Sequence, residues 1–224
     1  MNRKYYEAYD DRYTLVHKHN LQWSSDVPSA IVLNVMKKYG IGVDASVLEL
    51  GCGEGRDAYA LLRQGYKLMA TDISEEAIRY CQGKWPEFAE CFQTLDCIRG
   101  RLPQKYDCIY AIAVVHMLVE DADRAAFYRF IKEHLCENGI ALICTMGNGE
   151  MVMQSDISTA FDLQLRTHGV SGEKLMLAGT SCRMVAWNTF LEEIMENGLQ
   201  VREKGLTEVL PDFNIMMYAV VENT

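Results

Sequence analysis

The segment Val47-Leu48-Glu49-Leu50-Gly51-Cys52-Gly53-Glu54-Gly55-Arg56-Asp57 has the spacing most suited to chemistry in this chain. Glycines at 51, 53 and 55 follow a short apolar run and precede a helix-like stretch. Without side chains, the backbone there can turn tightly and approach a ligand closely. The start of the following helix offers free N–H groups to an electron-rich partner. Two acids follow at intervals. Asp72, in Thr71-Asp72-Ile73-Ser74, comes seventeen residues after Gly55. A carboxylate there can accept both hydroxyl protons of a ribose and would oppose a 2′-phosphate. Asp96, in Leu95-Asp96-Cys97, can accept from an adenine amino group, with the Cys97 backbone close to the ring edge.

The glycine spacing is G-x-G-x-G, not the G-x-G-x-x-G of a dinucleotide site. Glu49, just ahead of the first glycine, would repel phosphates and suit a cationic ligand. S-Adenosylmethionine carries a sulfonium and an ammonium and no phosphate. His116 stands after a long apolar run and could take a proton from a hydroxyl, thiol or amine acceptor, or shape a pocket by hydrogen bonding. Tyr9, Asn148 and Arg183 are candidates to bind the acceptor, and Trp23 to touch cofactor or acceptor. His17-Lys18-His19 reads as a solvated face, because side chains two apart do not face one another on a helix. Tyr5, Tyr6, Tyr9 and Tyr13 read chiefly as packing residues.

These residues need strands and helices in alternation to bring them together. The spacing predicts strands over 46–50, 66–70, 90–95, 106–115 and 140–144. Helices are expected over 28–38, 57–64, 74–83 and 123–136, the last stopped by Asn138-Gly139. Ser74 suits the cap of its helix, with Glu75 and Glu76 in the first turn. Strands alternating with helices imply a parallel sheet covered on both faces. After Gly147 the pattern lapses until about Arg183, as in a lid. A helix over 187–196 and two strands, 199–204 and 214–221, close the chain, the strands forming an antiparallel edge hairpin.

The 224 residues suffice for one large domain, and 49% hydrophobic with 24% charged residues is an ordinary globular balance. A net charge of −9 disfavours nucleic acid. No apolar stretch approaches the roughly 20 residues of a membrane span, and the start has no apolar run of a signal peptide. The eight cysteines lie scattered, none in a C-x-x-C pair, so no metal site is expected and a reducing, cytoplasmic location is.

The ordered set Glu49 to Gly55, Asp72 and Asp96 resembles the class I S-adenosylmethionine-dependent methyltransferase family over about Ser46 to Thr145. Ala111 to Leu118 is similar to that family's segment after strand four, beside the methionine part of the cofactor and the acceptor. The helical N-terminal part with Trp23 resembles bacterial small-molecule methyltransferases of the thiopurine and tellurite-resistance types. The resemblance implies an α/β, Rossmann-like, doubly wound, mostly parallel seven-stranded sheet. It implies a helical cap (1–43), a cofactor-binding core (44–146), a lid-like insertion (147–183) and a closing helix with strands (184–224). It further implies S-adenosylmethionine as cofactor, with S-adenosylhomocysteine as product and a small-molecule acceptor. Glu49, Gly51, Cys52, Gly53, Gly55, Asp72, Ile73, Asp96, Cys97, Ala113 and Trp23 then fall at cofactor positions, with His116 in catalysis. A nicotinamide-dependent oxidoreductase, a non-catalytic cofactor-binding protein and an RNA or protein methyltransferase stand as rival readings.

Overall fold

The computed structural model describes residues 3–168 and 171–224. The first two residues of the expected cap and two residues of the 147–183 segment lie outside them. A 3-10 turn, Tyr5–Glu7, leads into α1 (Ala8–Lys18), and α2 (Ala30–Lys38) follows. The alternation expected from sequence then runs through β1 (Ser46–Leu50), α3 (Arg56–Leu62), β2 (Lys67–Asp72), α4 (Glu75–Lys84) and β3 (Phe92–Thr94). It continues through β4 (Tyr106–Ile112), α5 (Asp121–His134) and β5 (Leu135–Met146). After short strands β6 (Met153–Gln154), β7 (Leu163–Thr167), β8 (Lys174–Ala178) and β9 (Arg183–Met184) come α6 (Trp187–Glu196), β10 (Leu199–Val209) and β11 (Phe213–Asn223).

Seven strands form one sheet in the order β10-β11-β5-β4-β1-β2-β3. The run from β5 to β3 is parallel, and β11 and β10 are antiparallel at the edge. Strand order reverses between β1 and β4, and at such a switch point the carboxyl ends leave a crevice for ligands. Strands covered on both faces should be apolar throughout. Along β4, every residue but Asp107 is buried. One apolar cluster packs α5 and α6 against one sheet face through Phe127, Ile131 and Phe190. The other packs α2, α3 and α4 against the opposite face through Val35, Leu61 and Ile78.

Three local expectations are corrected. The fourth strand stops at Ile112, because Ala113 takes φ 61°, and Val115–Met117 is a 3-10 turn. Helix α5 ends at His134, ahead of Asn138-Gly139, and β5 starts at once. Gly139 serves the strand instead. It lies in a register shift against β4, where an added Cβ would sit 3.0 Å from the Tyr106 and Asp107 carbonyl oxygens. The 147–183 segment is not patternless: β6 pairs with β9 and β7 with β8, all antiparallel. Strands of two to five residues are too short to impose a readable period. Among the described residues, no helix is long and apolar enough to cross a membrane.

Candidate active site

The glycine loop leaves β1 and turns through left-handed conformations at Gly51 (φ 72°) and Gly53 (φ 52°). An added Cβ at Gly51 would strike Val114, and one at Gly53 would lie 2.6 Å from the Tyr13 hydroxyl oxygen. These two glycines therefore face the crevice, and both φ and space exclude a side chain. Gly55 faces the opposite way, against the Trp85 ring and Cys81.

Asp72, at the end of β2, is buried. Its Oδ2 accepts from the Gly53 amide at 2.8 Å and its Oδ1 from the Ser74 amide at 2.9 Å. Burial pushes its carboxyl pKa up, against the lowering effect of those donors. Each oxygen keeps a second lone pair for an incoming hydroxyl. Ser74 caps α4 by accepting from the Ala77 amide at 3.0 Å. Asp96 follows β3. Its Oδ1 accepts from the Ile98 amide at 2.8 Å, and its Oδ2 from the Tyr6 hydroxyl at 3.3 Å. Ile73 and Cys97 pack against one apolar cluster beside them. Burial, followed by the charges of Asp96 and Asp72, pushes the Cys97 thiol up to about 12, so it is a packing thiol. Cys52 is buried under the loop.

Glu49 is buried beside Tyr110 on the neighbouring strand β4. It is 3% exposed and accepts from the Tyr110 hydroxyl at 3.0 Å. Burial, with the charge of Asp57 alongside, pushes its carboxyl well above the usual carboxylate range. Its repulsion of phosphates is correspondingly muted. Glu54 and Asp57 surround the loop more directly. Asp57 is buried and accepts from the Ser29 amide and hydroxyl at 2.6 and 2.8 Å. Arg56 pairs with Asp212 at the tip of the β10–β11 hairpin.

His116 lies in the 3-10 turn after β4, 3% exposed, with its Nδ1 lacking any partner among the described residues. Phe213 meets its ring edge to face, with centroids 6.4 Å apart. Burial, helped by the charge of Arg124, lowers its pKa to about 3, so it is neutral at physiological pH. Ala113 hydrogen-bonds its amide to the Cys144 carbonyl at 3.0 Å while holding its strained φ.

The remaining candidates are engaged elsewhere. The Tyr9 hydroxyl donates to the Ser181 carbonyl at 3.0 Å. The Trp23 ring covers the Arg12 guanidinium at 4.7 Å. Asn148 Oδ1 accepts from the amides of Glu150 and Met151, closing its own turn. Arg183 donates to the Val119 carbonyl and to Asp121 at 2.8 and 2.5 Å. Gly51, Gly53, Asp72, Ile73, Asp96, Cys97 and Ala113 thus converge on the carboxyl edge. Trp23 and Tyr9 lie in the covering layer above them, and Asn148 and Arg183 stabilise loops.

The covering layer is the helical cap expected over 1–43, and its stripe of inward residues is not marked by any motif. Positions 6, 10, 13 and 17 form one stripe at helical spacing. Tyr6 meets Asp96, and Asp10 accepts from the Ser74 hydroxyl at 2.7 Å. Tyr13 sits on Gly53, and His17 binds Glu54. The N-terminal turn and α1 therefore cross the ends of β3, β2 and β1 in succession. His17 is not on a solvated face, since its side chain is only 9% exposed. The spacing of Tyr6, Tyr13 and His17 was the signal available.

The site is acidic, with Glu54, Asp57, Asp72 and Asp96 around bare backbone. The cations beside them are already engaged, Arg56 with Asp212 and His17 with Glu54. Such a cradle fits a cationic nucleoside and disfavours a pyrophosphate.

Comparison with known proteins agrees on the fold. The fold is that of the class I S-adenosylmethionine-dependent methyltransferases. Structures similar to this chain include one such enzyme from Clostridium acetobutylicum ATCC 824 (14% identity, 97% of this chain and 98% of that chain, TM-score 0.65). The CcbJ methyltransferase of Streptomyces caelestis is also similar (14%, 96% and 99%, TM-score 0.68). So is magnesium protoporphyrin IX methyltransferase of Synechocystis PCC 6803, solved with bound S-adenosylmethionine (15%, 87% and 77%, TM-score 0.60). At such identities the likeness fixes the fold and no subfamily. Residues 48–141 match the profile of a family described as a methyltransferase domain. A curated Geobacillus sp. (strain WCH70) protein, whose name gives methyltransferase as an inferred activity, is 27% identical over 150 residues, 62% of this chain. The match spans 59% of that relative's length.

Proposed function

We propose that this chain binds S-adenosylmethionine across the ends of β1, β2 and β3 and directs its methyl group to a small-molecule acceptor. The observation that carries the reading is the succession of Gly51 and Gly53, Asp72 and Asp96 at the carboxyl ends of three adjacent parallel strands. Asp72 offers its free lone pairs to the ribose hydroxyls. Asp96 and the backbone at Cys97 and Ile98 face the adenine. The open backbone of the glycine loop and of Ala113 takes the methionine part. When bound, the sulfonium supplies an electrophilic methyl without help from the protein.

The protein's task is then alignment and exclusion of water. A chain without a triad can perform it, because in-line displacement needs a placed nucleophile more than an activated one. His116, neutral and with a free Nδ1, accepts a hydrogen bond from the acceptor's N–H, O–H or S–H and orients its lone pair toward the methyl. With so low a pKa it orients better than it removes protons.

Calorimetry with S-adenosylhomocysteine, NAD and NADP tests the cofactor. Binding of the first alone is expected, and binding of a dinucleotide in its place would refute the reading. Transfer of labelled methyl to a panel of amines, thiols, phenols and carboxylates tests the reaction. Tight binding without transfer to any class would leave a cofactor-binding protein.

A further inference from the structure

We propose that α1 is the door of the cofactor crevice and that His17, bridging Glu54 and Glu76, is its pH-sensitive bolt. The inference rests on the cofactor reading above and concerns how the ligand enters and leaves.

Helix α1 lies directly over the crevice. Tyr13 is buried, with its hydroxyl above Gly53 at the rim formed by Asp72. The structure gives that hydroxyl no hydrogen bond among the described residues, although the Asp72 and Glu54 carboxyl groups are its neighbours. An unspent donor beside the ribose-binding acid suits a ligand lying between them. A nucleoside reaching Asp72 and Asp96 must pass under Tyr13 and Tyr6, so α1 has to lift for exchange.

Glu54 gathers several of the contacts that hold this layer down, beside those of Tyr6 to Asp96, Asp10 to Ser74 and Arg12 to the Ala178 and Gly179 carbonyls. Glu54 stands inside the glycine loop, yet every hydrogen bond it makes is to the covering layer. It accepts from the amides of Trp23 and Ser24 at 2.7 Å each and from the Ser24 hydroxyl at 2.8 Å. Its fourth partner is His17 Nε2 at 3.0 Å. The other ring nitrogen of His17, Nδ1, lies 2.9 Å from Glu76 on α4. Both partners accept only, so both bonds form only when the imidazole carries two protons. A neutral ring turns a lone pair onto one of the carboxylates and breaks half of the bolt.

The groups facing His17 agree in sign. From α4 come Glu76, itself paired with Arg79 at 2.7 Å, and Tyr80, which stacks on the imidazole at 4.4 Å. Lys84 lies on Tyr80, 5.3 Å from its ring centre. From the loop comes Glu54, and from α1 itself Tyr13, 5.9 Å between centroids. Two carboxylates at contact distance outweigh the more distant lysine. Burial alone would lower the His17 pKa, but the hydrogen bonds and charges of Glu54 and Glu76 overcome it and raise it. A histidine raised in the closed state stabilises that state fully below the open-state value of about 6.5. The contribution is lost as pH climbs through the closed-state value. Release should therefore accelerate with rising pH.

Stopped-flow tryptophan fluorescence of the full chain, with Trp23 in the moving layer, measures S-adenosylhomocysteine release. From about pH 5.5 to about pH 8.5 the wild-type rate constant should rise severalfold. His17→Gln should release fast at every pH, with a flat profile. Glu76→Gln, at a side chain 20% exposed, should move the wild-type transition to lower pH. A flat wild-type profile, or the wild-type profile retained in His17→Gln, overturns the bolt while leaving the cofactor reading standing. A wild-type chain that binds no S-adenosylhomocysteine overturns both.

Discussion

Asp72 Oδ2 accepts the Gly53 amide at 2.8 Å, so the acid that ends β2 holds the turn that ends β1. The same carboxylate thus shapes the loop and, in the proposed function, meets the ribose. Asp72→Ala would leave the Gly53 and Ser74 amides without their acceptor, at about 1–3 kcal/mol each when buried. It is expected to weaken S-adenosylhomocysteine binding at least about a hundredfold, roughly 3 kcal/mol, and to lower the melting temperature as well. Calorimetry and thermal melting read the two separately. Unchanged affinity in a chain that still folds would remove Asp72 from the cofactor site.

Ala113 holds a left-handed φ of 61° in the segment joining β4 to the His116 turn. An L side chain there costs roughly 1–2 kcal/mol, and a β-branched one more. Ala113→Gly relieves this but loosens the unfolded chain, a change worth about 0.5–1 kcal/mol. Its stability should fall within about 1 kcal/mol of wild type. Ala113→Val should lose about 2 kcal/mol or more and most of the methyl transfer, because the turn shifts. Denaturant unfolding of the two variants decides it. Equal stability would mean that the φ is relaxed in solution.

The extent of sequence legibility follows from where the period is long. The loop, Asp72 and Asp96 were readable because parallel strands buried on both faces bring successive strand ends together whatever the detail between them. Helix 187–196 was readable from its amphipathic stripe and the Asn197-Gly198 stop. The Glu49 side chain could not be placed, since strand alternation alone does not say which face meets Tyr110. The role of His17 was hidden because its partners, Glu54 and Glu76, lie 37 and 59 residues away. Asn148 looked available because its partners are backbone amides, which no side-chain pattern marks, and Arg183 because its partners, the Val119 carbonyl and Asp121, lie more than sixty residues away.

His116 links pH to stability. Its pKa, lowered to about 3 by burial, lies below the unfolded value of about 6.5. Its contribution is therefore present above about pH 6.5 and lost as pH falls toward the folded value, on the order of a few kcal/mol. His116→Gln should lessen the drop in melting temperature between about pH 6.5 and pH 4 relative to wild type. It should also lower turnover more than cofactor affinity. In wild type, kcat should show no inflection near 6.5 that vanishes in His116→Gln. Such an inflection would place a titrating imidazole in the reaction and end the orienting role.

Arg124 fixes the turn that carries His116. It is 1% exposed, and its Nη1 donates to the Val115 and Leu118 carbonyls at 2.8 and 3.1 Å. Its Nε and Nη2 meet Glu193 on α6 at 2.7 and 2.6 Å, and Tyr128 donates to the same carboxylate at 3.0 Å. Removing one member of a buried pair leaves the other uncompensated, at about 3–5 kcal/mol. Arg124→Met should therefore destabilise the chain by that order, and by more than Arg124→Met combined with Glu193→Leu, which removes the stranded charge. The double variant still leaves the 115–118 carbonyls without their donor. It should regain stability but not turnover, with S-adenosylhomocysteine affinity close to wild type. Recovery of turnover along with stability would show that Arg124 serves the fold alone and leaves the placement of His116 to other contacts.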